Sequence, residues 1–192
     1  IGSAADALAA DVVLCVRRPA DEQIAAMRQG ALLVGFLEPH AARFDALAQA
    51  GLSALSVELI PRISRAQSMD AMSSQANIAG YRAVLEATFH YRRFLPLMMT
   101  SAGTAKPSRV VILGVGVAGL QAIATARRLG AQVEAFDVRP ETREQVLSLG
   151  AKFIDIDVGE SGAGEGGYAR ELSAQAQARQ QELLGERLKA AD

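Results

Sequence analysis

Gly114-Val115-Gly116-Val117-Ala118-Gly119 has the glycine spacing of a turn that brings backbone against a phosphate. A β-branched run over 109–113 precedes it and a helical pattern over 117–129 follows, which is the context the mechanism needs. Gly114 permits the tight turn, Gly116 admits a pyrophosphate, and Gly119 allows close packing of helix on strand. The helix start, at Val117, adds N–H groups and a partial positive charge. Asp137 closes the next strand, eighteen positions past Gly119. A carboxylate there accepts hydrogen bonds from a ribose 2′-OH and repels a 2′-phosphate, which favours NAD over NADP. Arg139 pulls the other way, since a nearby Arg can accommodate that phosphate; the alternatives are that it only flanks the adenosine or pairs at the surface.

A second constellation runs from Pro61 to Gln75, with Arg62, Gln67, Asp70 and Ser73 among its donors and acceptors. On physical grounds it is a polar loop entering a helix, with Ser68 or Asp70 as cap candidates. Other chemistries fail on inspection. Gly159-Glu160-Ser161-Gly162-Ala163 lacks the last glycine of a nucleophile elbow. None of the three lysines follows a phosphate-loop pattern. His40 and His90 have no metal-ligand spacing, so no metal site is expected, and Cys15 sits in an apolar strand as an inert thiol.

The elements that must hold these groups alternate strand and helix. Apolar runs at 12–16, 31–37 and 53–57 are separated by helical patterns at 21–27 and 41–50. Continuous apolar strands of this kind indicate a parallel sheet covered on both faces. A long helix is expected over 69–94, with Met72, Ile78, Tyr81, Leu85, Thr88 and Phe89 on one broad face. Residues 101–107 have the composition of a linker. The rhythm then restarts, with strands at 109–115, 132–138 and 152–157 and helices at 117–129 and 141–149. Five glycines between 159 and 167 indicate a mobile surface loop before a polar helix over 168–189.

The 192 residues are half apolar and 21% charged with net charge −1, which excludes a disordered chain and gives no sign of a nucleic-acid binder. A single Cys excludes a disulfide framework and fits a reducing compartment. The uncharged run Val110–Ala126 is too short and too glycine-rich to span a bilayer, so no membrane insertion is expected.

In the stretches Pro61–Val84, Leu97–Thr104, Gly114–Arg128 and Asp137-Val138-Arg139-Pro140, the sequence resembles the NAD(H)-binding domain I of the proton-translocating transhydrogenase alpha subunit, in the alanine dehydrogenase/transhydrogenase family. The resemblance covers almost the whole chain, as an interior fragment. It implies an α/β fold: two Rossmann-like parallel-sheet lobes joined by a long helix, both incomplete here, with the cofactor between them. The expected division is 1–68 for the first lobe and 69–107 for helix and linker. The NAD-binding half-domain then takes 108–192, with a mobile loop at 159–168.

Carried over residue by residue, the resemblance implies that Arg62, Gln67, Asp70 and Ser73 contact the nicotinamide end, with Arg62, Gln67 and Asp70 as positioning groups for hydride transfer. Gly114, Gly116, Val117 and Gly119 take the pyrophosphate, and Asp137, Val138 and Arg139 the adenosine ribose. Gly167 and Tyr168 fall in the family's mobile loop, and Gln180 on the helix after it. The implied partners are an NADP(H)-binding domain, a membrane domain and a second copy of the chain. The implied location is peripheral, on the cytoplasmic side of the bacterial inner membrane, and proton coupling belongs only to the intact assembly.

The main rival is a soluble NAD-dependent amino-acid dehydrogenase of the alanine dehydrogenase type. Cys15 stands where its substrate lysine would fall and Glu38 where its catalytic histidine would. A non-catalytic NAD-sensing module is a third class.

Overall fold

The computed structural model describes residues 2–39, 44–164 and 169–192. They form two compact units, 1–74 and 75–192.

In the first unit α1 (Ala4–Leu8) is followed by β1 (Val12–Arg17), α2 (Asp21–Ala25), β2 (Leu32–Phe36), α3 (Asp45–Gln49) and β3 (Ser53–Ser56). Helix α1 is absent from the sequence expectation; a reciprocal cap between Ser3 and Asp6 holds it. The strands pair in parallel in the order β1-β2-β3, with Val13 beside Leu33 and Leu33 beside Ala54. Val13, Ile24, Met27, Leu33, Leu37 and Leu47 form the core. The expectation of a sheet covered on both faces is corrected here. Val13 and Leu33 face α2 and α3, while Leu14 and Val16 on the alternate face are about three-quarters exposed. Period-two geometry puts these neighbours on opposite sides, and within this unit the described helices cover only one. Two 3₁₀ turns, Val57–Leu59 and Ser64–Met69, lead to the long helix α4 (Ala71–Tyr91).

The second unit takes in most of α4. A hairpin follows, β4 (Met98–Thr100) and β5 (Gly103–Ala105), where the composition indicates a linker. Next come β6 (Arg109–Leu113), α5 (Val117–Arg128), β7 (Gln132–Phe136), α6 (Arg143–Ser148), β8 (Lys152–Phe153) and α7 (Ala174–Leu188). The sheet β6-β7-β8 is parallel and in step, Val110 to Val133 and Ala135 to Phe153. One face packs Ile123, Ala126, Val133, Ala135 and Val146. The other packs Phe136 and Ile154 against Leu184 of α7. Burying a side chain such as Ile123 or Val146 contributes about 1.5–3 kcal/mol, and these residues fix α5 and α6 on the sheet.

Helix α4 buries a different stripe from the expected one. Gly80 and Val84 are inside, whereas Met72, Ile78, Tyr81 and Phe89 are exposed. The reason is proximity: a Cβ on Gly80 would lie 2.0 Å from the Ala118 carbonyl oxygen, so the helix packs by its smallest residue. No helix among the described residues is long and apolar enough to cross a membrane.

Candidate functional site

The glycine turn joins β6 to α5, and its three glycines are needed for three different reasons. Gly114 has φ +89°, a conformation that side chains resist, and its N–H donates to the Phe136 carbonyl at 2.8 Å. Gly119 is needed for packing, since a Cβ there would lie 1.8 Å from the Gly114 oxygen. Gly116 has an ordinary extended backbone, and nothing lies within 4 Å of where its Cβ would be. That open space adjoins the start of α5, where Gly116 is the N-cap and no side chain caps the helix. The first-turn N–H groups from Val117 onward have no intrahelical acceptors. An open approach, uncapped donors and a 12-residue helix together fit a pyrophosphate.

Asp137 lies just beyond β7, with its side chain 6% exposed. Its Oδ2 accepts from the Val115 N–H at 2.7 Å and from Arg139 Nη2 at 2.8 Å. Its Oδ1 accepts from the Arg139 N–H at 2.9 Å and from Arg139 Nε at 2.8 Å. Burial pushes the carboxyl up, but the Arg139 guanidinium and the two backbone donors outweigh it and hold the group below the usual carboxylate range. Arg139 is therefore neither a bystander at the surface nor an independent cation. It is locked to the residue expected to meet the ribose.

A cavity of about 370 Å³ opens beside this pair, and Asp137, Val138, Asp155, Glu160, Leu172 and Gln180 line it. Gln180, on α7, thus shares a cavity with Asp137 and Val138. Composition indicates a segment at 159–167 that cannot pack, yet Gly162 is buried. Its N–H donates to the Val138 carbonyl at 3.0 Å, and a Cβ there would lie 2.5 Å from the Val138 side chain. The Gly162 carbonyl accepts from the Arg170 N–H at 2.8 Å, and Glu160 accepts from the Ser173 hydroxyl at the cap of α7. Gly167 and Tyr168 lie outside the described residues.

In the first unit Arg62, Gln67 and Asp70 line a second cavity, of about 280 Å³. Asp70 caps α4: Ser73 donates its N–H at 2.9 Å and its hydroxyl at 2.6 Å to the two carboxylate oxygens. These bonds lower the Asp70 pKa, with Arg62 adding a smaller electrostatic pull. Of the two cap candidates the structure selects Asp70. Arg62 and Gln67 are exposed. Helix capping uses Asp70 and Ser73, while Gln67 is exposed and among the residues that line the cavity.

Four contributors to the site carry no clear signal in the sequence. The Val115 N–H braces Asp137, and no sequence signal marks it, because any residue between Gly114 and Gly116 offers that donor. Gly162 was hidden among its neighbouring glycines. Glu160 and Ser173 are thirteen residues apart, a spacing with no local periodicity.

Residues 83–192 match the family described as alanine dehydrogenase/PNT, C-terminal domain, and residues 1–79 match the corresponding N-terminal domain. A polypeptide of NAD(P) transhydrogenase subunit alpha from Rhodospirillum rubrum is 49% identical over 192 residues, 95% of this chain and 50% of its own length. The crystal structure of transhydrogenase from Sinorhizobium meliloti is 56% identical with a TM-score of 0.77, over 80% of this chain and 47% of that one. An L-alanine dehydrogenase structure is 27% identical with a TM-score of 0.65, over 83% of this chain and 46% of that one. The chain spans about half the length of these relatives. With both domain descriptions matched along the chain, on an α/β framework of parallel sheets, the protein belongs to the alanine dehydrogenase/PNT family.

Proposed function

We propose that this chain is the NAD(H)-binding component of a proton-translocating transhydrogenase. In that reading hydride passes between NADH held here and NADP⁺ on a partner domain, and the intact enzyme couples the transfer to proton movement. The observation that carries the NAD(H)-binding part of the reading is the turn Gly114–Gly119, open at Gly116 and ending in an uncapped helix start. The higher identity to transhydrogenase alpha subunits than to alanine dehydrogenase supports the rest. Gly114, Gly116, Val117 and Gly119 hold the pyrophosphate, Asp137, Val138 and Arg139 the adenosine ribose, and Gln180 the cavity beside it. For Arg62, Gln67, Asp70 and Ser73 the proposed role is contact with the nicotinamide end.

The bound nicotinamide supplies the hydride chemistry, and the protein contributes alignment and exclusion of water. Transfer between two nicotinamides calls for no general base. Asp70 suits such a site because its hydrogen bonds with Ser73 keep it ionised and fixed rather than poised to exchange a proton. The remaining elements of the proposal are those the sequence resemblance implies: an NADP(H)-binding domain and a membrane domain as partners, a homodimer, and a peripheral position on the cytoplasmic side of the bacterial inner membrane.

The alanine dehydrogenase reading draws on the structural likeness to that enzyme. Two residues weigh against it. Cys15 holds its thiol 3.6 Å from the Val34 carbonyl, and burial, with Glu58 nearby, raises its pKa and favours the neutral thiol; a thiol in either protonation state offers no cation to a substrate carboxylate. Glu38 has φ 55° and its N–H donates to Glu58, which leaves a carboxylate where the rival needs a histidine.

The test mixes the full-length protein with an NADP(H)-binding domain in a stopped-flow instrument and follows hydride transfer from NADH to an NADP⁺ analogue. Transfer without alanine-dependent NAD⁺ reduction is the expected result. Alanine oxidation without transfer would overturn the proposal in favour of the rival.

A further inference from the structure

The bond between Asp137 and Arg139 has a consequence for cofactor choice beyond the proposed binding of NAD(H), on which it rests. A carboxylate offers about four lone-pair sites, and at Asp137 the protein itself fills all four. Two of the donors, the N–H groups of Val115 and Arg139, are backbone and are fixed by the turn and the strand end. The other two, Nε and Nη2 of Arg139, sit on a side chain that can rotate away. A ribose hydroxyl can therefore reach the Asp137 carboxylate only by taking a place that the guanidinium holds.

We propose that, beyond the repulsion expected of its own charge, Asp137 excludes NADP(H) by sequestering Arg139, and that Arg139 is a latent 2′-phosphate site held shut by this pairing. In the folded protein the guanidinium is a two-pronged partner for an anion, but the prongs are already closed on a carboxylate that is 6% exposed. A 2′-phosphate would have to draw the guanidinium off that carboxylate and then sit beside the bare charge. A ribose diol carries no charge, so it can share the site once the guanidinium shifts. With the charge at position 137 removed, the guanidinium of Arg139 loses the carboxylate that closes its two prongs, and an acidic group still acting on it is the more distant Glu141.

The test uses the full-length protein and two probes that carry only the adenosine end, 5′-AMP and adenosine 2′,5′-bisphosphate, titrated by calorimetry. The parent is expected to bind 5′-AMP and to bind the bisphosphate more weakly. Asp137→Asn keeps an oxygen for the Val115 N–H and removes the charge. It should raise bisphosphate affinity relative to 5′-AMP roughly ten- to hundredfold, the scale of one charge-assisted hydrogen-bonded pair. Adding Arg139→Ala to that variant should abolish the gain, and Arg139→Ala alone should leave the parental preference at least as strong. Asp137→Ser, with a hydroxyl for the same N–H, repeats the measurement if Asp137→Asn does not fold. A gain that survives loss of Arg139, or no gain in a folded variant, would overturn the inference and leave the NAD(H) reading standing. A parent that binds neither 5′-AMP nor NADH would overturn both.

Discussion

The glycine turn of the second unit and the polar loop of the first differ in where their chemistry is stored. At the turn it lies in the backbone: Gly114 is bonded to Phe136, Gly119 is packed on Gly114, and Val115 is bonded to Asp137 before any ligand arrives. In the loop it lies in side chains. Asp70 and Ser73 are committed to capping α4, while Arg62 and Gln67 are exposed on a 3₁₀ turn and the segment leading to it. On the proposed reading, a site made of backbone donors is costly to damage and governs binding. On the same reading, a site of exposed side chains tolerates substitution without loss of fold and governs alignment.

If that contrast holds, the largest loss should come from Gly119→Ala. Its methyl group has no room beside the Gly114 oxygen. Overpacking of this kind costs about 1–3 kcal/mol, so urea unfolding should show a clear loss of stability, and calorimetry should show no measurable NADH binding. An alanine variant with parental affinity would mean that the turn is not rigid.

Gln67→Asn tests the other side of the contrast. It keeps the amide but shortens its reach. Loss of a neutral hydrogen bond costs about 0.5–1.5 kcal/mol, so NADH affinity should stay within about tenfold of the parent. Displacing reacting groups by about 1 Å can cost around a hundredfold in rate, and single-turnover hydride transfer should slow on that scale. Parental transfer would leave Gln67 as a surface residue of the capping turn.

Gly116→Ala sharpens the comparison by separating stability from binding. With an extended backbone and open space around it, the new methyl should change stability by no more than about 0.5 kcal/mol. The same methyl stands in the path of the pyrophosphate, so NADH affinity should fall by about tenfold, the cost of one lost hydrogen bond. Equal affinity would place the phosphates elsewhere.

The smallest effect concerns acid. The folded pKa of Asp137 lies below its unfolded value, so its stabilising contribution is present above about pH 4 and is lost as pH falls through the folded value. Thermal melts across pH 2.5–6, a window chosen to bracket about pH 4, should show a shallower acid decline for Asp137→Asn than for the parent.

Much of the framework was legible in the sequence, and the reasons differ by region. The β6–α5 turn and its acid were readable because each glycine answers a separate geometric demand at fixed spacing. The buried stripe of α4 was misread because periodicity counts large apolar residues, whereas a close helix contact selects the smallest, Gly80. Small and polar residues at 101–107 pointed to a linker, yet Met98–Thr100 and Gly103–Ala105 pair across a tight turn. At Asp137 the sequence supplied both members of the pair but not their bond, because two charges two residues apart face each other only where a strand ends and the chain bends. At the 61–75 loop the residue types were legible, while the division between capping and exposed groups depended on which carboxylate met Ser73.

The most direct test of the central claim is a titration of the full-length protein with NADH, followed by backbone amide NMR. The account predicts that the amide signals of Gly116, Val117, Ala118 and Gly119 shift most, and that they saturate together with the calorimetric binding curve. Saturable NADH binding that leaves those four amides unmoved would contradict it.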